Sequence, residues 1–308
     1  MSGIRAAVIG VGYLGRFHAQ KYAAMDDVEL LGVVDADLDR ARAVAEEVGT
    51  KGFASVAELP PGLQAASVAV PTTAHAAVSI PLLREGIAVL VEKPISASLD
   101  EARAIIEAAR LGNATLQVGH LERFNPALAS LTGEIGNPVF IEGHRISPFR
   151  PRGTDVDVVL DLMIHDIDII LSLVPSPVSS IEAVGVPVLT DTVDIANARI
   201  RFQSGCIANI TASRVSADTM RKIRIFQSNS YISIDFAKAS VDIYRLDENR
   251  QIGHNRLVMS ESDALAAEIR SFVDAVKGVS PVKVDGEAAF SALQVAYTIK
   301  ESMIIPKR

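Results

Sequence analysis

Cysteine is nearly absent from this chain. Cys206 is the single one in 308 residues, so no internal disulfide can staple the fold. Its setting, Ser204-Gly205-Cys206-Ile207-Ala208, reads as a strand start carrying a small buried hydrophobe. Positive charge is also short. Lys and Arg number 30 against 37 Asp and Glu, a formal net charge of −7. Nonspecific nucleic-acid binding needs the opposite balance, so any anionic ligand has to be held by a local basic cluster. Long apolar runs are missing too. Ile4–Ile9, broken by Arg5, is too short for a signal-peptide core or a membrane span. A cytoplasmic location without membrane insertion is the expectation.

Apolar residues make up 49% of the chain and charged residues 22%, enough for a sizeable core and unlike a disordered chain. At 308 residues the chain exceeds the length at which single cores stop growing, about 250–300, which predicts two domains. Over the first 120 residues, solid apolar runs (Ile4–Ile9, Val28–Val34, Ala65–Val70, Ile87–Val91, Ala114–Val118) alternate with Ala-, Glu- and Arg-rich stretches of helical spacing. Asp37 and Ser98 stand where N-caps belong. This βαβα alternation predicts a doubly wound parallel sheet over 1–121. From Val139 onward the strands alternate apolar and polar residues. In Tyr231–Phe236, Ile232, Ile234 and Phe236 share one face. That pattern predicts an open, largely antiparallel sheet in a second, α+β domain over 122–308. Helices are expected at 263–276 and 287–304.

The first strand runs into Gly10-Val11-Gly12-Tyr13-Leu14-Gly15. Glycine 10 permits a tight turn, Gly12 lets backbone approach a pyrophosphate, and Gly15 lets helix press on strand. Asp35 ends the second strand, 20 residues beyond Gly15, where it can accept hydrogen bonds from adenosine ribose hydroxyls. With strand, helix and acid all in place, a Rossmann-type NAD site is favoured over a bare strand–helix turn. A 2′-phosphate would meet Asp35 and Asp37, which favours NAD over NADP; Arg40 is near but falls inside a helix.

Two further features carry chemistry. Val89-Leu90-Val91-Glu92-Lys93-Pro94 puts a lysine at the carboxyl end of a parallel strand, over the crevice where such sheets bind ligands. An ordinary exposed strand-end lysine is the alternative. In Asp161-Leu162-Met163-Ile164-His165-Asp166-Ile167-Asp168, helical spacing puts Asp161, His165 and Asp168 on one face among apolar neighbours. Such groups are expensive to bury unless they pair or do chemistry. A structural Asp–His tie and a zinc site remain as rivals. No second histidine pattern supports the metal, and none is expected. The expected cofactor contacts are Gly10, Gly12, Tyr13, Leu14, Gly15 and Asp35, with Thr72, His75, Glu92 and Lys93 completing the set. His144, Arg145, Arg150 and Arg152 form a basic cluster that suits a diphosphate or is a solvated loop, and Arg123 and Asn125 are further candidates for substrate.

The fingerprint, the Glu92-Lys93-Pro94 triplet and Asp161-x-x-x-His165 together resemble the glucose–fructose oxidoreductase/inositol dehydrogenase/MocA family over essentially the whole chain. The resemblance implies a nicotinamide cofactor, sugar or cyclitol substrates, and homodimers or homotetramers built through the open sheet. It implies that Lys93 and His165 act at the substrate hydroxyl with Asp161 in support; the strand-end position of Lys93 predicts that the three meet across one cleft. Gly119-His120-Leu121-Glu122-Arg123-Phe124-Asn125-Pro126 is similar to members that oxidise the 3-hydroxyl of UDP-N-acetylglucosamine, including those serving lipid A. Val156-Asp157-Val158-Val159-Leu160 departs from the glycine-rich stretch common before the catalytic aspartate, which implies a differently shaped pocket. The competing readings are a dehydrogenase of a free sugar or inositol, an NAD-binding sensor that does no chemistry, and a structural protein.

Overall fold

The computed structural model describes residues 3–149, 157–247, 249–259 and 263–305. Strands and helices alternate from the start: β1 (Ile4–Ile9), α1 (Tyr13–Ala23), β2 (Val28–Val34), α2 (Leu38–Val48), β3 (Gly52–Phe53), β4 (Ala65–Val68), α3 (His75–Arg84), β5 (Ala88–Glu92), α4 (Leu99–Leu111) and β6 (Leu116–Gly119). The six strands lie in the order β3-β2-β1-β4-β5-β6, and every pairing is parallel. Strands β4 and β6 are buried along their whole length, which is why the sequence runs solidly apolar there. The Asp37 and Ser98 side chains accept hydrogen bonds from Arg40 N and Glu101 N, capping α2 and α4 as the sequence predicts. Strand order reverses between β1 and β4. That switch point is where a doubly wound sheet leaves a crevice beyond its carboxyl ends.

A short helix α5 (Pro126–Ala129) and strand β7 (Phe140–Ile146) follow. A π-helical turn, Val159–Met163, leads into α6 (Ile164–Leu173). Next come β8 (Val178–Val186), β9 (Ile195–Phe202), β10 (Ile207–Ser213), β11 (Met220–Phe226), β12 (Ser230–Asp235), β13 (Ser240–Leu246) and β14 (Ile252–Val258). The chain ends with α7 (Ala264–Val276), α8 (Gly286–Ser302) and β15 (Met303–Ile304). The second sheet runs β14-β13-β12-β11-β7-β10-β9-β8-β15. Its pairings are antiparallel except β7 with β10 and β8 with β15. Burial alternates along β7 and β9, so one face is packed and the other open. An aromatic ladder, Phe140, Phe226, Tyr231, Tyr244 and His254, crosses five of its strands with ring centroids 4.3–5.6 Å apart.

The chain forms two compact units, Met1–Leu121 with Asp263–Phe290, and Glu122–Ser262 with Ser291–Arg308. The sequence predicts a second domain over 122–308; 263–290 belongs instead to the first unit. Ile269, Phe272 and Val273 of α7 are fully buried against the cluster that holds Ala6, Val8, Tyr22 and Leu90. Each such side chain stabilises that packing by about 1.5–3 kcal/mol. The amphipathic stripe was readable in the sequence; its partner, more than 170 residues upstream, was not.

Candidate active site

The cofactor cradle starts where β1 ends. Gly10 takes φ +83°, and a Cβ there would stand 2.6 Å from the Val70 nitrogen. A Cβ at Gly15 would stand 1.8 Å from the Gly10 carbonyl oxygen. Gly12 differs: a Cβ there would meet nothing within 4 Å. Gly12 caps α1 with no side-chain hydrogen bond, and the first turn carries no acid. The positive dipole end of α1 therefore carries no side-chain cap and no acid, which fits a pyrophosphate. Tyr13 and Leu14 are exposed on that first turn, and the Tyr13 ring meets Phe17 edge-on at 5.3 Å.

Asp35 braces this turn from β2. Its Oδ2 accepts from Val11 N and its Oδ1 from Asp37 N, each at 2.9 Å. Arg40 reaches back from α2, with Nη1 3.4 and 3.5 Å from the two Asp35 oxygens and Nη2 3.2 Å from Asp37 Oδ2. A helical backbone position had set Arg40 aside; its long side chain closes the distance. Asp35→Ser is expected to free this guanidinium for a 2′-phosphate and to remove the repulsion. The preference for NAD over NADP should fall by about tenfold or more, the scale of one charged hydrogen bond. Calorimetric titration of both dinucleotides measures it, and tighter NADP than NAD binding by the native protein overturns it.

Thr72 lies in a 3-10 turn after β4, and His75 opens α3. His75 Nδ1 is 2.9 Å from the Pro94 carbonyl oxygen and Nε2 3.0 Å from that of Val70. Burial pushes its pKa down, so the neutral ring donates to one of the two. The side chain pins the exits of β4 and β5 together. Glu92, the last residue of β5, turns inward: His18 Nε2 is 2.9 Å from its Oε1. His18 Nδ1 continues to Ser67 Oγ at 3.1 Å, which Tyr22 meets at 2.9 Å. Burial opposes the Glu92 charge, but the hydrogen bond and charge of His18, with Lys93, hold the carboxyl below its usual range. Lys93 follows, half-buried, its backbone N–H on Glu92 Oε2 at 3.3 Å and its peptide to Pro94 cis.

In the second unit, nearly all of 158–170 is buried; Asp161, Leu162 and His165 alone are half-open. The sequence predicts one regular helix through this segment. Instead Asp161 sits in the π-helical turn and His165 in the first turn of α6, a local irregularity common at functional sites. Asp168, expected on the same face, is buried and bound by Arg123 Nη1 at 3.3 Å. Asp166 is held by Arg145, Nη2 at 2.7 Å and Nε at 3.1 Å, and Arg145 Nη1 meets Glu122 Oε1 at 2.8 Å. Burial works against the Arg145 charge, but Asp166 and Glu122 more than offset it and push its pKa up. Removing one member of such a pair strands a buried charge, at about 3–5 kcal/mol. Two ion pairs thus fix α6 from beneath while His165 stays accessible.

The residues expected to meet substrate also have partners within the chain. Arg123 is committed to Asp168, and Asn125 caps α5 by accepting from Ala127 N at 3.1 Å. Arg145 occupies an inward position of β7 and is not part of a solvated loop. Arg150 and Arg152 lie outside the described residues. Sequence reasoning missed His18 and Glu268. For Glu268 a signal existed, an acid on the buried stripe of α7, four residues before Phe272.

The family model for the NAD-binding Rossmann fold of the GFO/IDH/MocA oxidoreductases matches residues 4–120, and that for their C-terminal domain matches 99–233. UDP-N-acetylglucosamine 3-dehydrogenase of Acidithiobacillus ferrooxidans is 39% identical over 303 residues, 96% of both chains. The chain belongs to the GFO/IDH/MocA oxidoreductase family. A solved structure of the A. ferrooxidans enzyme matches this GFO/IDH/MocA chain with a TM-score of 0.92, at 38% identity over 98% of both chains. Myo-inositol 2-dehydrogenase of Thermotoga maritima is 28% identical over 97% of this chain and 96% of its own. NAD is the cofactor of this oxidoreductase fold, and the glycine cradle and Asp35 fit it. Among the described residues no helix is long and apolar enough to cross a membrane.

Proposed function

We propose that this protein oxidises the 3-hydroxyl of UDP-N-acetylglucosamine to the 3-keto sugar. The observation that carries the reading is the likeness to a UDP-N-acetylglucosamine 3-dehydrogenase along 96% of both chains. The chemistry supplied by bound nicotinamide is acceptance of a hydride. The chain's own residues do the rest. His165 takes the hydroxyl proton on Nε2, since Nδ1 is buried, and Asp161 orients the ring or the sugar. Lys93 donates a hydrogen bond to the same oxygen and stabilises its developing negative charge. Asp35 and the glycine turn hold the adenosine ribose and pyrophosphate. Arg150 and Arg152 are assigned to the diphosphate on charge alone.

The test is NADH formation by the purified protein with UDP-N-acetylglucosamine, free N-acetylglucosamine and myo-inositol. Turnover is expected with the nucleotide sugar and a 3-keto product. Faster turnover of the free cyclitol, the reaction type of the Thermotoga relative, overturns the substrate assignment. We further propose that the product serves 3-amino-sugar formation for lipid A and that the protein works in the cytoplasm. Copies of the chain are assigned to pair through the open face of the nine-stranded sheet, whose aromatic ladder is an apolar stripe on a polar face. Sedimentation of the native protein reads this directly, and a monomer at micromolar concentration counts against it.

A further inference from the structure

Helix α7 carries Glu268 into the interior of the first unit. The side chain is fully buried, and neither carboxyl oxygen has a hydrogen-bond partner among the described residues. One donor atom each from His18, Glu92 and Glu268 lie within 4.8 Å of one another. The surroundings are polar and closed. Helix α1 presents His18 and Tyr22, β4 presents Ser67, and β5 presents Glu92 with Lys93 behind it. Strand β6 presents Gln117, whose Nε2 donates to the Glu268 carbonyl oxygen at 3.2 Å and whose Oε1 finds no donor among the described residues. On α7 itself, Arg270 is engaged with Asp27 and Asp274.

Two buried carboxyl groups this close cannot both stay ionised. We propose that Glu268 is a buried neutral acid that keeps its own proton, so that the Glu92–Glu268 pair carries one negative charge beside Lys93 and Glu268 acts as a positioning residue for that lysine. The positioning half of this inference rests on the catalytic reading of Lys93; the protonation state does not. Burial, with the charge of Glu92, pushes the Glu268 carboxyl well above its usual range. A divalent cation fits the same donors less well. The Lys93 charge already acts on Glu92, and the imidazole nitrogen facing the acids is already 2.9 Å from Glu92 Oε1. The proton also supplies a donor where Glu92 and Gln117 Oε1 offer only acceptors.

The consequence for stability has a definite sign. Unfolded Glu268 ionises near its ordinary pKa, about 4.3. The native residue keeps its proton, so the native state binds one proton more than the unfolded state. This contribution is complete below the unfolded pKa and falls as pH rises, until native Glu268 itself ionises. Glutamine cannot ionise in either state and keeps an N–H donor.

Denaturant titration of the full-length native protein and of Glu268→Gln between pH 5 and 8 reads this out. The native unfolding constant is expected to rise relative to the variant by up to about tenfold per pH unit. Infrared spectroscopy should show a protonated-carboxyl C=O band in the native protein that the variant lacks. Glu268→Ala should lower kcat about tenfold, the scale of one lost hydrogen bond, with KM for NAD little changed, and Glu268→Gln should restore most of it. If the alanine variant does not fold, the glutamine variant still decides. Parallel stability curves, a missing band difference, or a stoichiometric divalent metal in the native protein that Glu268→Gln loses overturns the proposal. Near-native turnover by a lysine-93 variant would remove the catalytic reading and leave the protonation result standing.

Discussion

His165→Ala is expected to lower kcat by about 10²-fold or more and to leave NAD affinity unchanged. The size follows from the role. A hydroxyl bound to carbon is a poor hydride source until its proton is on the way out. Imidazole, with an ordinary pKa of about 6.5, is matched to taking that proton near neutral pH. The position supports the role, because His165 and Asp161 are the two polar side chains of 158–170 that stay half-open. The ring is not part of the ion pairs that anchor α6, so its removal should leave the helix in place: Asp166 keeps Arg145, and Asp168 keeps Arg123. Steady-state kinetics with the nucleotide sugar, beside calorimetry with NAD, separates chemistry from binding. Turnover within a few-fold of native by a folded His165→Ala protein assigns the base elsewhere.

Lys93→Met removes an ammonium while keeping most of the stem. A fall in kcat of about 10²–10³-fold is expected, the range seen when a donor aimed at developing negative charge is lost. The effect should be on kcat more than on KM, because the oxygen gains its charge only as the proton leaves. Lys93→Arg should also be poor, since a planar fork cannot stand in for a compact ammonium. The Glu92 carboxylate, held ionised by His18 and by Lys93, is the fixed counter-charge beside this residue. Circular dichroism and NAD titration establish that the variant is folded and loaded. Native-like kcat in Lys93→Met removes the lysine from the mechanism.

The parts of the fold and site that rest on local rules were legible in the residues. Solid apolar runs became β4 and β6, and alternation became β7 and β9, because each pattern reports how many faces of a strand are buried. The tight turn at Gly10 and the close packing at Gly15 follow the sequence because backbone constraints are written one residue at a time. Partners distant in sequence leave no such mark. Arg123 and Arg145 look like ligand-binding cations in one dimension, and each is matched to an aspartate of α6 in three. Asn125 reads as a binding amide and caps a four-residue helix. Arg40 was set aside on the position of its backbone, whereas its long side chain decides what it touches. The π-helical turn at Val159–Met163 leaves no mark in a residue-spacing argument that assumes a regular helix.

The return of α7 to the first unit sets an order on biosynthesis. A nascent chain of 121 residues already holds all six strands of the parallel sheet. It does not yet hold Ile269, Phe272 and Val273, which complete the apolar cluster, or the Glu268 carboxyl that sits with His18 and Glu92. Those residues leave the ribosome only after the strands of the second sheet from β7 to β14. The cofactor unit starts before the second unit and is completed only after that unit's strands, so its core closes later than its own sheet forms, and a premature stop between β6 and α7 yields a dinucleotide sheet with an open seam.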